Sequence, residues 1–196
     1  MNIGIYIYDQ AEVLDFSGPF EVFSTASRVC SEDRPFEVFL IAEKPGIVTA
    51  RAGYLVSSEF SIQNHPELDV LVVAGGYHTE EMHKPPVLSW VRDQAAKVNI
   101  LASVCTGVFI LAEAGLLAGR MVTTHWEDIG DLRRQFPTLD VLENVRWVEQ
   151  DNLFTSAGIS AGIDMCLYLV SRLHSAELAE QTARQMDYRW VKNTDG

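Results

Sequence analysis

The sequence predicts an α/β protein, a mostly parallel central sheet with helices on both faces. Three observations carry that expectation. Short β-branched runs of strand length recur at residues 3–8, 36–41, 68–73 and 98–104. Several of them are continuously apolar, as strands buried on both faces are. Helical segments separate them, and strands that alternate with helices build parallel sheets.

Taken in order, IGIYIY at residues 3–8 is the first strand, rich in β-branched and aromatic residues. Residues 9–16 are expected to be a loop. Ser17, Gly18 and Pro19 then mark a helix start, since proline is tolerated in a first turn, and Phe20, Val22, Phe23 and Ala26 give that helix its apolar face. Residues 36–41 form the second strand, and residues 46–60 alternate weakly around Gly53 as a pair of short strands. The run at 68–73 is a buried strand ending at Ala74-Gly75-Gly76. Pro85-Pro86 opens a helix with Val87, Leu88, Trp90 and Val91 on its inner side. After the strand at 98–104 and a helix at 108–114, residues 120–124 read as a short strand ending at His125. Residues 127–136 are a polar helix closed by Pro137. Residues 145–148 and 153–155 flank Asp151-Asn152, a hairpin turn signal. Residues 161–186 are a long amphipathic stretch with a break signalled near His174-Ser175. No repeat, linker or low-complexity segment interrupts the chain. One Rossmann- or flavodoxin-like sandwich over residues 1–196 is expected.

Composition narrows the function classes. Hydrophobic residues make up 47% and charged residues 21%, as in ordinary globular proteins. A net charge of −12 with only 15 Lys and Arg argues against nucleic acid and against an anionic membrane surface. No run of 18 apolar residues exists, and the N-terminus lacks a basic leader, so the expected location is cytoplasmic. Cys30, Cys105 and Cys166 show no CxxC spacing and read as reduced thiols. The histidines His65, His78 and His83 lack partners at ligand spacing, so no metal is expected.

The chemistry concentrates at Ser103-Val104-Cys105-Thr106-Gly107, between the strand at 98–104 and the helix at 108–114. The spacing is that of a nucleophile elbow with Cys in place of Ser, in which small neighbours allow a tight strand-to-helix turn. A thiol so placed faces the positive end of a helix, which favours thiolate. The alternative is a buried core cysteine. In parallel sheets the ligand crevice lies beyond the carboxyl ends of the strands. That edge gathers four loops carrying Asp15, Gly75-Gly76-Tyr77, Cys105 and His125. Asp15, in the apolar setting VLDF, is either a loop bracket or an acid whose pKa is raised enough to keep its proton. Gly75-Gly76 is either a simple turn or half of an oxyanion hole completed by the Thr106 N–H. His125 is either a hydrogen-bonding loop residue or a general base for the thiol.

The segments LDFSGPFEVF, the strand ending AGG, SVCTGVFILAEAGLLAGRMVTTHW and FTSAGISAGIDM resemble the ThiJ/PfpI superfamily, of class I glutamine amidotransferase-like fold. Within it the chain is similar to the isonitrile hydratase branch. The peptidase-like members carry His directly after the cysteine, where this chain has Thr106. The resemblance implies Cys105 as nucleophile, Asp15 as its acid partner, and the backbone of Gly76 and Thr106 stabilising developing charge. Ile159 and its neighbours would line the substrate pocket, with Tyr77 and His125 on the same edge. It further implies a lyase that converts an isonitrile to an N-substituted formamide through a thioimidate on Cys105, acting on a small molecule without cofactor. A homodimer is implied too, with Phe20 and Phe23 as candidate pairing residues. Two other readings remain. One is a non-catalytic sensor like that of AraC-type regulators, although the last helical stretch, with Glu177, Glu180, Arg184 and Asp187, shows no basic recognition helix. The other is a glyoxalase or stress-type enzyme acting on reactive carbonyls, which in the family goes with Glu where this chain has Asp15.

Overall fold

A computed structural model describes residues 1–31 and 34–193; the single unit expected over 1–196 thus includes five positions, 32, 33 and 194–196, outside the described residues. The elements in chain order are β1 (Asn2–Tyr6), α1 (Val13–Val29), β2 (Glu37–Ala42), β3 (Gly46–Thr49), β4 (Leu55–Ser58), β5 (Phe60–Ser61) and β6 (Val70–Val73). They continue with α2 (Pro85–Ala95), β7 (Ile100–Val104), α3 (Gly107–Glu113), β8 (Met121–Val122), α4 (Ile129–Gln135) and β9 (Asp140–Val141). The chain closes with β10 (Trp147–Gln150), β11 (Leu153–Ser156), α5 (Ala161–Leu173) and α6 (Ala176–Gln185).

Seven strands form one sheet in the order β10-β11-β7-β6-β1-β2-β5. Every pairing in it is parallel except the β10–β11 hairpin, whose turn falls at the expected Asp151-Asn152. The central strands are apolar on consecutive positions because both faces are covered: Ile3, Ile5, Tyr6 and all four residues of β6 are buried. Helices α1, α5 and α6 pack on one another as one layer, while α2 and α3 pack together as another. From β1 the chain moves one way to β2 and later the other way through β6 and β7. The carboxyl ends of β1 and β6 therefore mark a switch point, where open sheets leave a crevice. The pair of short strands expected around Gly53 is the β3–β4 hairpin, and the last helical stretch breaks into α5 and α6 at His174-Ser175.

Three expectations are corrected. The helix assigned to start at Ser17–Pro19 begins at Val13, so Asp15 lies in its first turn rather than in a loop. Pro19 sits inside the helix; its missing N–H forgoes one backbone bond, which the burial of Phe16, Val22 and Phe23 outweighs. The strand that leads to His125 does not join the main sheet. β8 pairs with β9 in a separate two-stranded ribbon, tied to β11 by the Thr123 N–H bond to Thr155 Oγ1 at 2.9 Å. Finally, Phe23 is fully buried and offers nothing to a second subunit, whereas Phe20 is only partly covered.

Candidate active site

Cys105 links β7 directly to α3 and has φ of +55°, a left-handed conformation that is strained for a residue with a Cβ. Its neighbours hold it there. The Cys105 N–H donates to Ser156 O at 3.0 Å, and Thr124 Oγ1 donates to Cys105 O at 2.9 Å. Two residues on, the backbone of Gly107 passes so close to β6 that an added Cβ would lie 2.2 Å from the Val73 carbonyl oxygen. The glycine of the motif thus sets how closely helix and strand approach.

Asp15 meets the thiol at Gly75. A Cβ on that glycine would lie 2.6 Å from Thr106 N, 2.7 Å from Asp15 Oδ2 and 2.8 Å from Cys105 Cβ, so the lack of a side chain at Gly75 is what lets acid and thiol converge. Asp15 is completely buried, and neither carboxylate oxygen makes a hydrogen bond of good geometry. Burial pushes its pKa up from 3.8 to about 8; the Cys105 thiol and the Gly75 N–H offset part of that, while Glu12 adds repulsion. Asp15 is therefore mainly protonated at neutral pH.

The thiol departs from the expected thiolate. Cys105 is 6% exposed, and burial pushes its pKa up, followed by repulsion from Asp15; the Thr106 N–H opposes the rise and Asp128 adds to it. Desolvation and a neighbouring carboxyl outweigh the end of a seven-residue helix. The resting arrangement is a neutral acid beside a neutral thiol.

Around this pair opens a cavity of about 430 Å³, bordered by Gly76, Tyr77, Cys105, Thr106, His125 and Ile159, with His78 and Phe109 among its further walls. The expected pocket residues are thus gathered in one place. Gly76 has φ of +137°, and its N–H is not free for developing charge: it donates to Thr106 Oγ1 at 2.8 Å, and the same hydroxyl donates to Gly76 O at 2.8 Å. Of the expected oxyanion pair, only the Thr106 N–H faces the sulfur. His125 Nε2 lies 3.4 Å from Glu127 Oε2, and its buried Nδ1 has no partner. A Cβ on Gly158 would lie 2.4 Å from Cys105 Sγ and 3.2 Å from His125 Nδ1, which puts the thiol and the imidazole on the same face of Gly158. Tyr77 and Ile159, at 57% and 38% exposure, form the rim.

Sequence reasoning missed several residues here. His78 stacks on Phe109 with ring centroids 4.2 Å apart, and burial lowers its pKa. Gly75 was expected only as a turn or oxyanion-hole glycine and Gly158 only as a neighbour of Ile159 in the pocket lining; their part in the close approach of acid, thiol and imidazole leaves no local signal. The loop carrying Gly158 and Ile159 is pinned from outside: Arg146 O accepts from the Ala157 N–H at 2.9 Å, and Arg146 Nε donates at 2.8 Å to the buried Asp164 of α5.

The seven-stranded, mostly parallel sheet covered by helices on both faces defines an α/β sandwich, with Cys105 and Asp15 meeting beyond the carboxyl ends of its strands. The chain belongs to the DJ-1/PfpI family, whose profile matches residues 1–172. It is 33% identical to the isonitrile hydratase of Pseudomonas putida over 189 residues, covering 96% of this chain and 78% of that protein. It is also 31% identical over 173 residues to the HTH-type transcriptional regulator CdhR of Pseudomonas aeruginosa, covering 88% of this chain but only 51% of the regulator. A ThiJ/PfpI family protein from Pseudomonas syringae superposes with a TM-score of 0.85 at 26% identity, over 99% of this chain and 77% of that one. Drosophila melanogaster DJ-1beta superposes with a TM-score of 0.81 at 17% identity, over 96% of this chain and 98% of that one, a likeness of fold alone. Among the described residues no helix is long and apolar enough to cross a membrane.

Proposed function

We propose that this protein hydrates an isonitrile to an N-substituted formamide, with Cys105 as nucleophile and Asp15 as proton donor. The observation that carries this reading is the neutral acid–thiol pair converging at Gly75. An isonitrile R–N≡C must receive a nucleophile and a proton at the same carbon. A charged thiolate beside a charged carboxylate would supply only the first. In the neutral pair, Asp15 gives its proton to the terminal carbon as Cys105 Sγ bonds to it, and the thiol proton passes to Asp15. The product is the thioimidate R–N=CH–S–Cys105, with the carboxyl regenerated. Water then adds to that carbon, and the C–S bond breaks to release R–NH–CHO and the free thiol. No net charge enters the buried site before or after the step. The similarity to an isonitrile hydratase supports the same reading.

A ligand sensor that does not turn over is the second reading, favoured by the regulators among the relatives, of which the chain spans about half the length. The two separate on one experiment. Incubation with an alkyl isocyanide, followed by mass spectrometry, is expected to yield the formamide catalytically with the native protein and none above background with Cys105→Ala. Turnover that survives Cys105→Ala refutes the proposal. Stoichiometric binding without formamide assigns the site to sensing.

A further inference from the structure

The cavity around Cys105 carries more charge than the proposed reaction uses. Its walls hold four carboxylates, those of Glu12, Glu127, Asp128 and Asp131, against one permanent cation, Arg51. Arg51 Nε already lies 3.7 Å from Glu12 Oε2. Burial lowers the His78 pKa below its ordinary 6.5, so that ring adds no charge at neutral pH. The other three acids fall within residues 127–131. Glu127 faces His125 at 3.4 Å, and Asp131 pairs with Arg134 of its own helix, both groups more than half exposed and the pair therefore worth little. Asp128 is half-buried, and among the described residues its carboxylate makes no hydrogen bond or ion pair. Burial raises its pKa, His125 and His78 oppose the rise, and Asp131 and Glu127 add to it. Acids in a first helical turn ordinarily serve the helix itself. Asp128 does not: it stands at the cap position of α4, yet its side chain makes no cap bond.

We infer that the ligand of this cavity is cationic, an alkylammonium whose charge settles among Glu127, Asp128 and Asp131 while its other end lies at Cys105. The inference rests on the hydratase reading and names the substrate class within it: an isonitrile whose R group ends in an ammonium. The acids and the reacting groups share one cavity. Cys105, 6% exposed, lines its floor, and the completely buried Asp15 meets the thiol there with neither oxygen hydrogen-bonded. A cleft walled by one sign of charge concentrates the opposite sign and repels its own, more strongly than open water allows. Carboxylates without a cation of their own are free to take one from the ligand, and each contact is then a charge-assisted bond. The apolar side chains of Tyr77 and Ile159 at the rim suit the carbons that join the two ends. A carboxylate-bearing isonitrile is disfavoured by the same field.

The test compares two methanethiosulfonate reagents of opposite charge, trimethylammonium-ethyl and sulfonato-ethyl, reacting with Cys105 at pH 8. The sulfur of Cys105 attacks the sulfenyl sulfur, methanesulfinate leaves, and mass spectrometry locates the new disulfide on Cys105. Taking the ratio of the two rates cancels the ionised fraction of the thiol, and dividing by the same ratio for mercaptoethanol cancels the reagents' own reactivity. The cation is expected to react about tenfold faster on this scale. Asp128→Asn/Asp131→Asn is expected to bring the ratio close to one, and each single variant to lower it part of the way. Glu67→Gln/Asp93→Asn removes the same charge from a different cavity, shared with Asn2 at the start of β1, and must leave the ratio in place. A native ratio near one overturns the inference. An equal fall in both double variants also overturns it, because the preference would then belong to the field of the whole chain. None of this needs turnover, so a failure to hydrate any isonitrile sinks the hydratase reading and leaves the cation preference standing. With turnover, a trimethylammonio-alkyl isocyanide is expected to show a KM about tenfold below that of its tert-butyl isostere, and to lose that advantage in Asp128→Asn/Asp131→Asn. Equal KM values for the two in the native protein would overturn the assignment of the R group.

Discussion

Replacing Asp15 by Asn is expected to stabilise the protein at alkaline pH while removing the proton donor of the proposed reaction. Burial raises the Asp15 pKa from 3.8 to about 8, so the native state holds this proton far more tightly than the unfolded chain does. Its contribution to stability is therefore full below pH 4 and declines as the pH climbs towards 8. One pKa unit is worth about 1.4 kcal/mol, which makes the loss about 4 kcal/mol by pH 7 and about 6 kcal/mol at pH 8 and above. Asn keeps the shape and neutrality of the protonated acid and escapes this loss. The assay is thermal unfolding of both proteins between pH 4 and pH 9. The Tm values are expected to coincide near pH 4 and to separate by ~12–24 °C at pH 8, Asn being higher, since ~1 kcal/mol moves Tm by ~2–4 °C in a chain of this size. Comparing the pair at each pH cancels every other titrating group. A Tm difference independent of pH would mean that Asp15 does not titrate between 4 and 8 in the native state. The neutral-pair chemistry would fall with it.

Two further substitutions probe the geometry. Gly75→Ala puts a methyl within 2.6 Å of Thr106 N and 2.7 Å of Asp15 Oδ2. It is expected to abolish formamide production and to lower unfolding stability in urea by about 2 kcal/mol or more; a fully active, fully stable variant would show that acid and thiol need not meet there. Thr106→Val removes the hydroxyl that both accepts from and donates to Gly76. Leaving the part-buried Gly76 N–H without its partner, and Gly76 O with only the His78 Nδ1 contact at 3.4 Å, is expected to cost about 1 kcal/mol in the same titration, and a neutral result would mean that water replaces the hydroxyl.

The turn at Cys105 was legible because its determinants are contiguous: a β-branched run, a small-residue step and a glycine within ten residues. The position of Asp15 was misjudged for a tertiary reason. Gly18 and Pro19 carry a local start signal, but Gly18 is placed for contact, an added Cβ falling 2.9 Å from Ile163 Cγ1 of α5. Helix α1 thus needs a smooth surface there more than it needs a boundary. The protonation of the thiol was invisible for a similar reason. A helix end can be read from seven neighbouring residues, whereas the burial and the carboxyl that outweigh it come from segments about 90 positions away.

Three tightly packed glycines at the site divide it into parts with different prospects for change. At Gly75, Gly107 and Gly158 an added methyl would meet backbone, carboxylate or thiol at 2.2 to 2.7 Å. The floor therefore admits almost no variation, and a new specificity is hard to select there. The rim is different: the side chains of Tyr77 and Ile159 project towards solvent, although the backbone that carries them is held in place by Thr106 and Arg146. Descendants of this chain can exchange those side chains freely while the acid, the thiol and their shared proton stay as they are. A library confined to residues 77 and 159 is where altered ligand preference should first emerge.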